Sequence, residues 1–140
     1  MKAAFELHPQ LLADTFEVGR LALSRVLLMN DARYPWLILV PRIAGARELF
    51  DLDKNDRANL LAELDAVGRA LEALLRPDKF NIAALGNVVP QLHVHVVARY
   101  DTDAAWPKPV WGIGERVPYE GAALARRIGE LREALAAVLG

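Results

Sequence analysis

Two histidines stand side by side in the stretch Gln91-Leu92-His93-Val94-His95-Val96-Val97-Ala98-Arg99-Tyr100, and the chain holds only three. Polar side chains fill Gln91, His93, His95 and Arg99, and apolar ones fill Leu92, Val94, Val96, Ala98 and Tyr100. This alternation with period two predicts a β-strand with one apolar and one polar face. On a pleated strand, same-face neighbours lie close enough for one reacting group to touch both imidazoles.

Three chemistries suit such a pair. A shared metal ion is the first, but zinc needs three or four protein ligands. The chain has no cysteine, and neither His8 nor a carboxylate stands at a recognisable ligand spacing, so no metal site is expected. General acid–base work is the second, since imidazole titrates near neutral pH. It would need a nucleophile to activate, and there is neither a thiol nor a Gly-x-Ser-x-Gly elbow. The third makes imidazole itself the nucleophile, attacking phosphorus to give a phosphoramidate and so splitting a difficult transfer into two easier steps. That chemistry needs a group to hold the ring's other nitrogen as a donor, donors for the charge on the phosphate oxygens, and help for the leaving group. Gln91, His95, Arg99 and Asn87 are the candidates.

The elements that must position this face are legible from periodicity. Phe5 to Ala13 forms a short apolar cluster around Pro9, with His8 read as a surface or capping residue. Phe16–Leu21, Ser24–Met29 and Trp36–Val40 read as three strands, the last closed by Pro41, with Asn30 to Pro35 as a turn. The third strand is apolar on both faces, so a central place with helix on one side is expected. From Lys54 to Arg76, apolar residues at Leu60, Leu64, Val67, Leu71, Leu74 and Leu75 make one stripe of a helix capped by Asp53. Lys79–Ala84 reads as a fourth strand, with the His93 strand as its antiparallel partner. Asp101 to Tyr119 is irregular and holds Trp106 and Trp111, which must cover the body, a second subunit or a ligand. Glu120 to Leu139 closes the chain as a helix. Strands that run together rather than alternating with helices predict an α+β fold: about five antiparallel strands, a long helix packed on them and a C-terminal helix.

Composition narrows the class. The 140 residues are 54% hydrophobic and 25% charged, as in a globular domain, and residues 1–140 are read as one domain with its core at about 16–100. Nothing demands an oxidising compartment. No basic leader precedes an apolar run, and no segment is long enough to span a bilayer, so a cytoplasmic protein is expected. A net charge of −1 supplies no field for bulk nucleic acid.

The residues resemble the histidine triad (HIT) superfamily of nucleotide hydrolases and transferases. Its signature is His-x-His-x-His and two apolar residues on the last strand of an antiparallel sheet. Gln91 to Val97 matches it with glutamine in the first position, and Gly86-Asn87-Val88-Val89-Pro90 matches the Gly-Gln-x-Val-x lead-in. Leu28-Met29-Asn30 and the strand ending in Pro41 fit the upstream segments. The resemblance spans about Phe16 to Tyr100.

It implies that His93 is the nucleophile, that His95 lies beside the phosphate and leaving group, and that Gln91 acts through its backbone carbonyl, its amide donating to a phosphate oxygen. It further implies that Asn30 contacts the ribose, with Asn87 and Arg99 as phosphate ligands. Many members carry another histidine just before the strand ending in proline; here that position is Trp36, so no proton relay runs through it. The implied activity is attack on the α-phosphate of a dinucleoside polyphosphate or nucleoside phosphoramidate. The alternative is a nucleotide-binding protein with little catalysis. No cofactor is implied beyond magnesium accompanying a polyphosphate. The implied assembly is a homodimer whose sheets join.

Overall fold

The computed structural model describes residues 4–140. In chain order it contains α1 (Pro9–Asp14), β1 (Thr15–Arg20), β2 (Ser24–Met29), β3 (Trp36–Pro41), a short 3-10 turn (Leu49–Asp51), α2 (Lys54–Leu75), β4 (Lys79–Ala84), β5 (Val94–Arg99) and α3 (Gly121–Ala134). All strand pairs are antiparallel, in the order β1-β2-β3-β5-β4. This is the α+β architecture that the strand and helix periods predict. No helix among the described residues is long and apolar enough to cross a membrane.

β3 lies at the centre with all six residues buried, as its continuous apolar run requires. Its two faces feed different cores. Leu37 and Leu39 join Val67 and Leu71 of α2 and Leu131 of α3, so both helices back one face of the sheet. Trp36, Ile38 and Val40 join Tyr34, Val97, Ala105 and Val110 on the other. The loop after β5 therefore covers the face opposite the helices, and its tryptophans cover the body of the protein.

Element ends depart from the periodic reading where local chemistry intervenes. α2 stops at Leu75 because Arg76 takes a left-handed conformation (φ 48°) ahead of Pro77, its N–H still donating to the Glu72 carbonyl. At its start, the Asp53 carboxylate accepts from the Asp56 N–H. α3 ends at Ala134, earlier than the stripe through Leu135 and Val138 suggests, and finishes in tight turns. Gly140 N–H then donates to Arg20 O of β1. The β5 ladder begins at Val94, although alternation starts at Gln91. Pro90 has no N–H to offer, and Leu92 N–H is drawn to Ala46 O, so the approach to the strand runs outside the ladder.

Candidate active site

β5 sits between β3 and β4, and His93 just before it, with its own His95, Val97 and Arg99, faces the layer formed by the loop. His93 is 6% exposed and His95 5% exposed, so the polar face is not a solvated one. The two rings meet edge to face at 4.9 Å between centroids. Both line a cavity of about 360 Å3 together with Trp36 and Trp111, the Gly86-Asn87 turn, and apolar walls from Met29, Leu85, Val88 and Val89. That volume falls at the lower end of the ~300–1,000 Å3 typical of small-molecule sites. A left-handed Gly86 (φ 120°) lets the turn bend over the cavity mouth.

Each imidazole is locked in one tautomer, and the two are opposite. His93 Nδ1 lies 2.6 Å from Gln91 O. A carbonyl only accepts, so Nδ1 carries the hydrogen and Nε2 keeps its lone pair. Trp36 Nε1–H donates to His95 Nδ1 at 2.9 Å. An indole only donates, so His95 carries its hydrogen on Nε2. Neither Nε2 has a protein partner among the described residues, and neither is buried without one, so both open on the cavity. A lone pair and an N–H donor thus stand side by side, as a nucleophile and a charge-stabilising donor must.

Trp36 reaches His95 because β3 pairs with β5: Trp36 opposes Val97, which puts the two rings on a diagonal of the ladder. Trp111 closes the other side, edge-on to His95 at 5.2 Å and to Trp36 at 5.8 Å. In this aromatic box, burial first and the neighbouring His93 second lower the His95 pKa from 6.5 to about 3. An unfolded histidine titrates near ~6.5. Between those values the unfolded chain binds more protons than the folded one. Stability is therefore full above about pH 6.5 and falls toward pH 3, by up to about 1.4 kcal/mol per unit. His95→Asn offers Trp36 an acceptor that does not titrate. Urea midpoints measured across the acid range should fall more steeply for the wild type than for this variant.

The structure collects some of the predicted site residues and withholds others. His93, His95 and Asn87 line the cavity. Gln91 contributes its carbonyl, but its side chain is engaged elsewhere: Oε1 accepts from His8 N–H at 2.9 Å and Nε2 donates to Glu6 O at 2.8 Å. The amide clamps the N-terminal segment, and Gln91 does not line the cavity. Asn30 does not line the cavity; its Oδ1 accepts from Tyr119 N–H at 2.8 Å and holds the incoming α3. Arg99 does not line it either. Its Nε and Nη2 grip both Asp103 oxygens at 2.7 and 2.9 Å, and Nη1 donates to Asn81 Oδ1 at 2.7 Å. Trp106 and Tyr34 cover the guanidinium, each at 5.7 Å. No group of three or more histidine, aspartate or glutamate side chains among the described residues could hold a metal ion.

A HIT domain profile matches residues 11–102. The chain belongs to the HIT family. Among solved structures, a histidine triad protein from Bradyrhizobium japonicum is 48% identical, covering 94% of this chain and 98% of its own, with a TM-score of 0.92. One from Marinobacter aquaeolei is 45% identical over 97% of this chain and 99% of its own (TM-score 0.94). One from Sinorhizobium meliloti is 43% identical over 94% and 97% (TM-score 0.90). None of the curated proteins matches the sequence significantly. HIT membership makes nucleotide binding, or hydrolase or transferase activity on nucleotides, the general class of function. In this HIT protein, Arg99, the Gln91 amide and Asn30 do not line the cavity and instead hydrogen-bond parts of the scaffold to one another. Trp36 and Trp111 are the site residues that sequence reasoning missed.

Proposed function

We propose that the protein is a HIT-type nucleotide hydrolase or transferase that attacks the α-phosphorus of a nucleoside phosphate derivative with His93 Nε2. The observation that supports this reading is the His93 Nδ1–H bond to Gln91 O, which leaves Nε2 as a lone pair facing the cavity. Attack places a positive charge on the imidazole, and the carbonyl dipole stabilises it. The His95 Nε2–H donates to a phosphate oxygen as charge builds there. Met29, Leu85, Val88 and Val89 offer apolar surface to the nucleoside, and Asn87 lies beside the phosphate. Among the described residues no lysine or arginine lines the cavity, and magnesium would accompany a polyphosphate substrate as its counter-ion. No other cofactor enters the reading.

The test is single-turnover mixing with a dinucleoside polyphosphate or a nucleoside phosphoramidate, followed by intact mass at short times. An adduct of one nucleoside monophosphate on His93 is the expected result. Measurable binding with neither adduct nor product would replace this reading by that of a nucleotide-binding protein.

The same reading includes a homodimer joined through β4. The outer edge of β1 is covered, since Arg132 donates to Glu17 O and Val18 O, and Gly140 to Arg20 O. β4, at the opposite edge, has no such cover among the described residues. On it Ile82, and beside it Leu61 of α2, are 55% and 69% exposed. An open edge flanked by apolar side chains is a template for a second strand. Sedimentation equilibrium should return a dimer for the wild type and a monomer for Leu61→Glu/Ile82→Lys. A monomeric wild type would remove the dimer from the reading.

A further inference from the structure

The pairing of Trp36 with His95 bears on which substrates the site can turn over. Trp36 Nε1–H donates to His95 Nδ1 at 2.9 Å within the buried layer. Protonating His95 would set two N–H groups against each other at that distance, because the indole cannot accept. Burial and the neighbouring His93 act in the same direction, keeping the ring neutral. Among the described residues, His93 and His95 are the only titratable side chains that line the cavity. His93 is committed to attack, with its one hydrogen on the Gln91 carbonyl. A neutral imidazole N–H is a good hydrogen-bond donor but far too weak an acid to surrender its proton. The cavity therefore holds donors for charge but no general acid.

From this we infer that the site selects anhydrides of nucleoside 5′-phosphates, whose leaving group departs as a stable anion, over nucleoside phosphoramidates, whose leaving amine must be protonated as it departs. The inference rests on the reading of His93 as nucleophile and decides between the two substrate classes that this reading allows. In the first step, the His93 Nε2–P bond forms and the bridging P–O bond breaks. Its electron pair stays on the departing oxygen, so no proton is required. In the second, water oxygen bonds to phosphorus, the N–P pair returns to Nε2, and the water proton passes to solvent. With a P–N bond in place of P–O, the first step would expel an amide anion unless an acid stood beside it, and Trp36 prevents His95 from serving as one. Trp36 is thus a positioning residue that sets specificity by fixing a tautomer.

The experiment compares a diadenosine polyphosphate with the adenosine 5′-phosphoramidate of an alkylamine, across wild type, Trp36→His and Trp36→Phe. General acids contribute ~10²–10⁴-fold. The wild type should therefore favour the anhydride by about 10²-fold or more in kcat/KM. Trp36→His places a titratable ring against His95 Nδ1 and should shift the ratio of phosphoramidate to anhydride kcat/KM at least about tenfold toward the phosphoramidate. Trp36→Phe keeps an aromatic packing partner and frees Nδ1, so phosphoramidate turnover should appear on the acid side of its pH profile. Independently of activity, 15N NMR of wild-type His95 should report a neutral Nε2–H tautomer through pH ~6, near the ordinary histidine pKa. A wild type that forms the His93 adduct and handles both substrates equally would overturn this inference alone, as would a protonated Nδ1 at that pH. Absence of an adduct with both substrates would overturn the nucleophile reading and this inference with it.

Discussion

His93→Ala is expected to lower turnover by at least about 10³-fold while leaving nucleotide affinity within about threefold, since loss of a covalent nucleophile removes a transition-state interaction rather than uniform binding. The ring's lone pair is the only unblocked nucleophilic nitrogen in the cavity. His95 Nδ1 is occupied by Trp36, and its Nε2 carries hydrogen. The apolar cavity walls from Met29, Leu85, Val88 and Val89, proposed to take the nucleoside, do not depend on the imidazole. Steady-state kinetics with calorimetric titration of a nucleoside monophosphate separates the two effects. A variant with wild-type turnover would sink the covalent mechanism. A variant that loses binding and turnover together would assign His93 to the cavity wall instead.

Much of the fold could be read from periods, and much of the site could not, for one physical reason. Period-two alternation from Gln91 to Tyr100 reports which side chains share a face, and His93, His95 and Arg99 do share one. It does not report what covers that face. A strand with one polar face ordinarily turns it to water, yet here the loop carrying Ala105, Val110 and Trp111 closes over it. Arg99, on the same face as the histidines, reads as an anion ligand until Asp103, four residues on in an irregular turn, takes its Nε–Nη2 edge and Asn81 takes Nη1. Nothing periodic announces that contact. Trp36 reads as a missing histidine, hence as a lost relay. Its gain, a fixed tautomer on His95, exists only because β5 inserts between β3 and β4. That insertion is a non-local pairing which the strand pattern does not specify. Gln91 shows the converse: its carbonyl role follows from backbone position and survives the side chain's identity, while the amide is spent on Glu6 and His8, which lie far away in sequence. Apolar helices and strands announce themselves because their signal is local; buried polar partners do not, because theirs is tertiary.

The largest stability effect is expected at Arg99, which is 2% exposed although it carries a full charge. Its fork on Asp103 raises the Arg99 pKa and lowers that of Asp103, each chiefly through the hydrogen bonds between them. Two more hydrogen bonds, from Ala105 N–H and Trp106 N–H to Asp103 Oδ1, tie the same carboxylate to the loop that covers the site. Arg99→Met leaves that carboxylate buried without its cation. Removing one partner of a buried pair costs ~3–5 kcal/mol, because the remaining charge is uncompensated. Arg99→Lys keeps the charge but loses the bidentate fork, and should recover only part of the loss. Arg99→Met with Asp103→Leu removes both charges, and should be more stable than Arg99→Met alone, because apolar replacement of a whole buried pair is often near neutral. Urea denaturation gives the three stabilities from midpoint and slope. If Arg99 held phosphate, nucleotide affinity would fall in Arg99→Lys and the double variant regardless of stability. Because Arg99 lies off the cavity, held by Asp103 and Asn81, affinity of the folded variants should stay close to wild type while their midpoints fall. The guanidinium therefore acts on the site at one remove: it anchors the turn from which the Trp111 loop departs, and so keeps the wall against His95 in place.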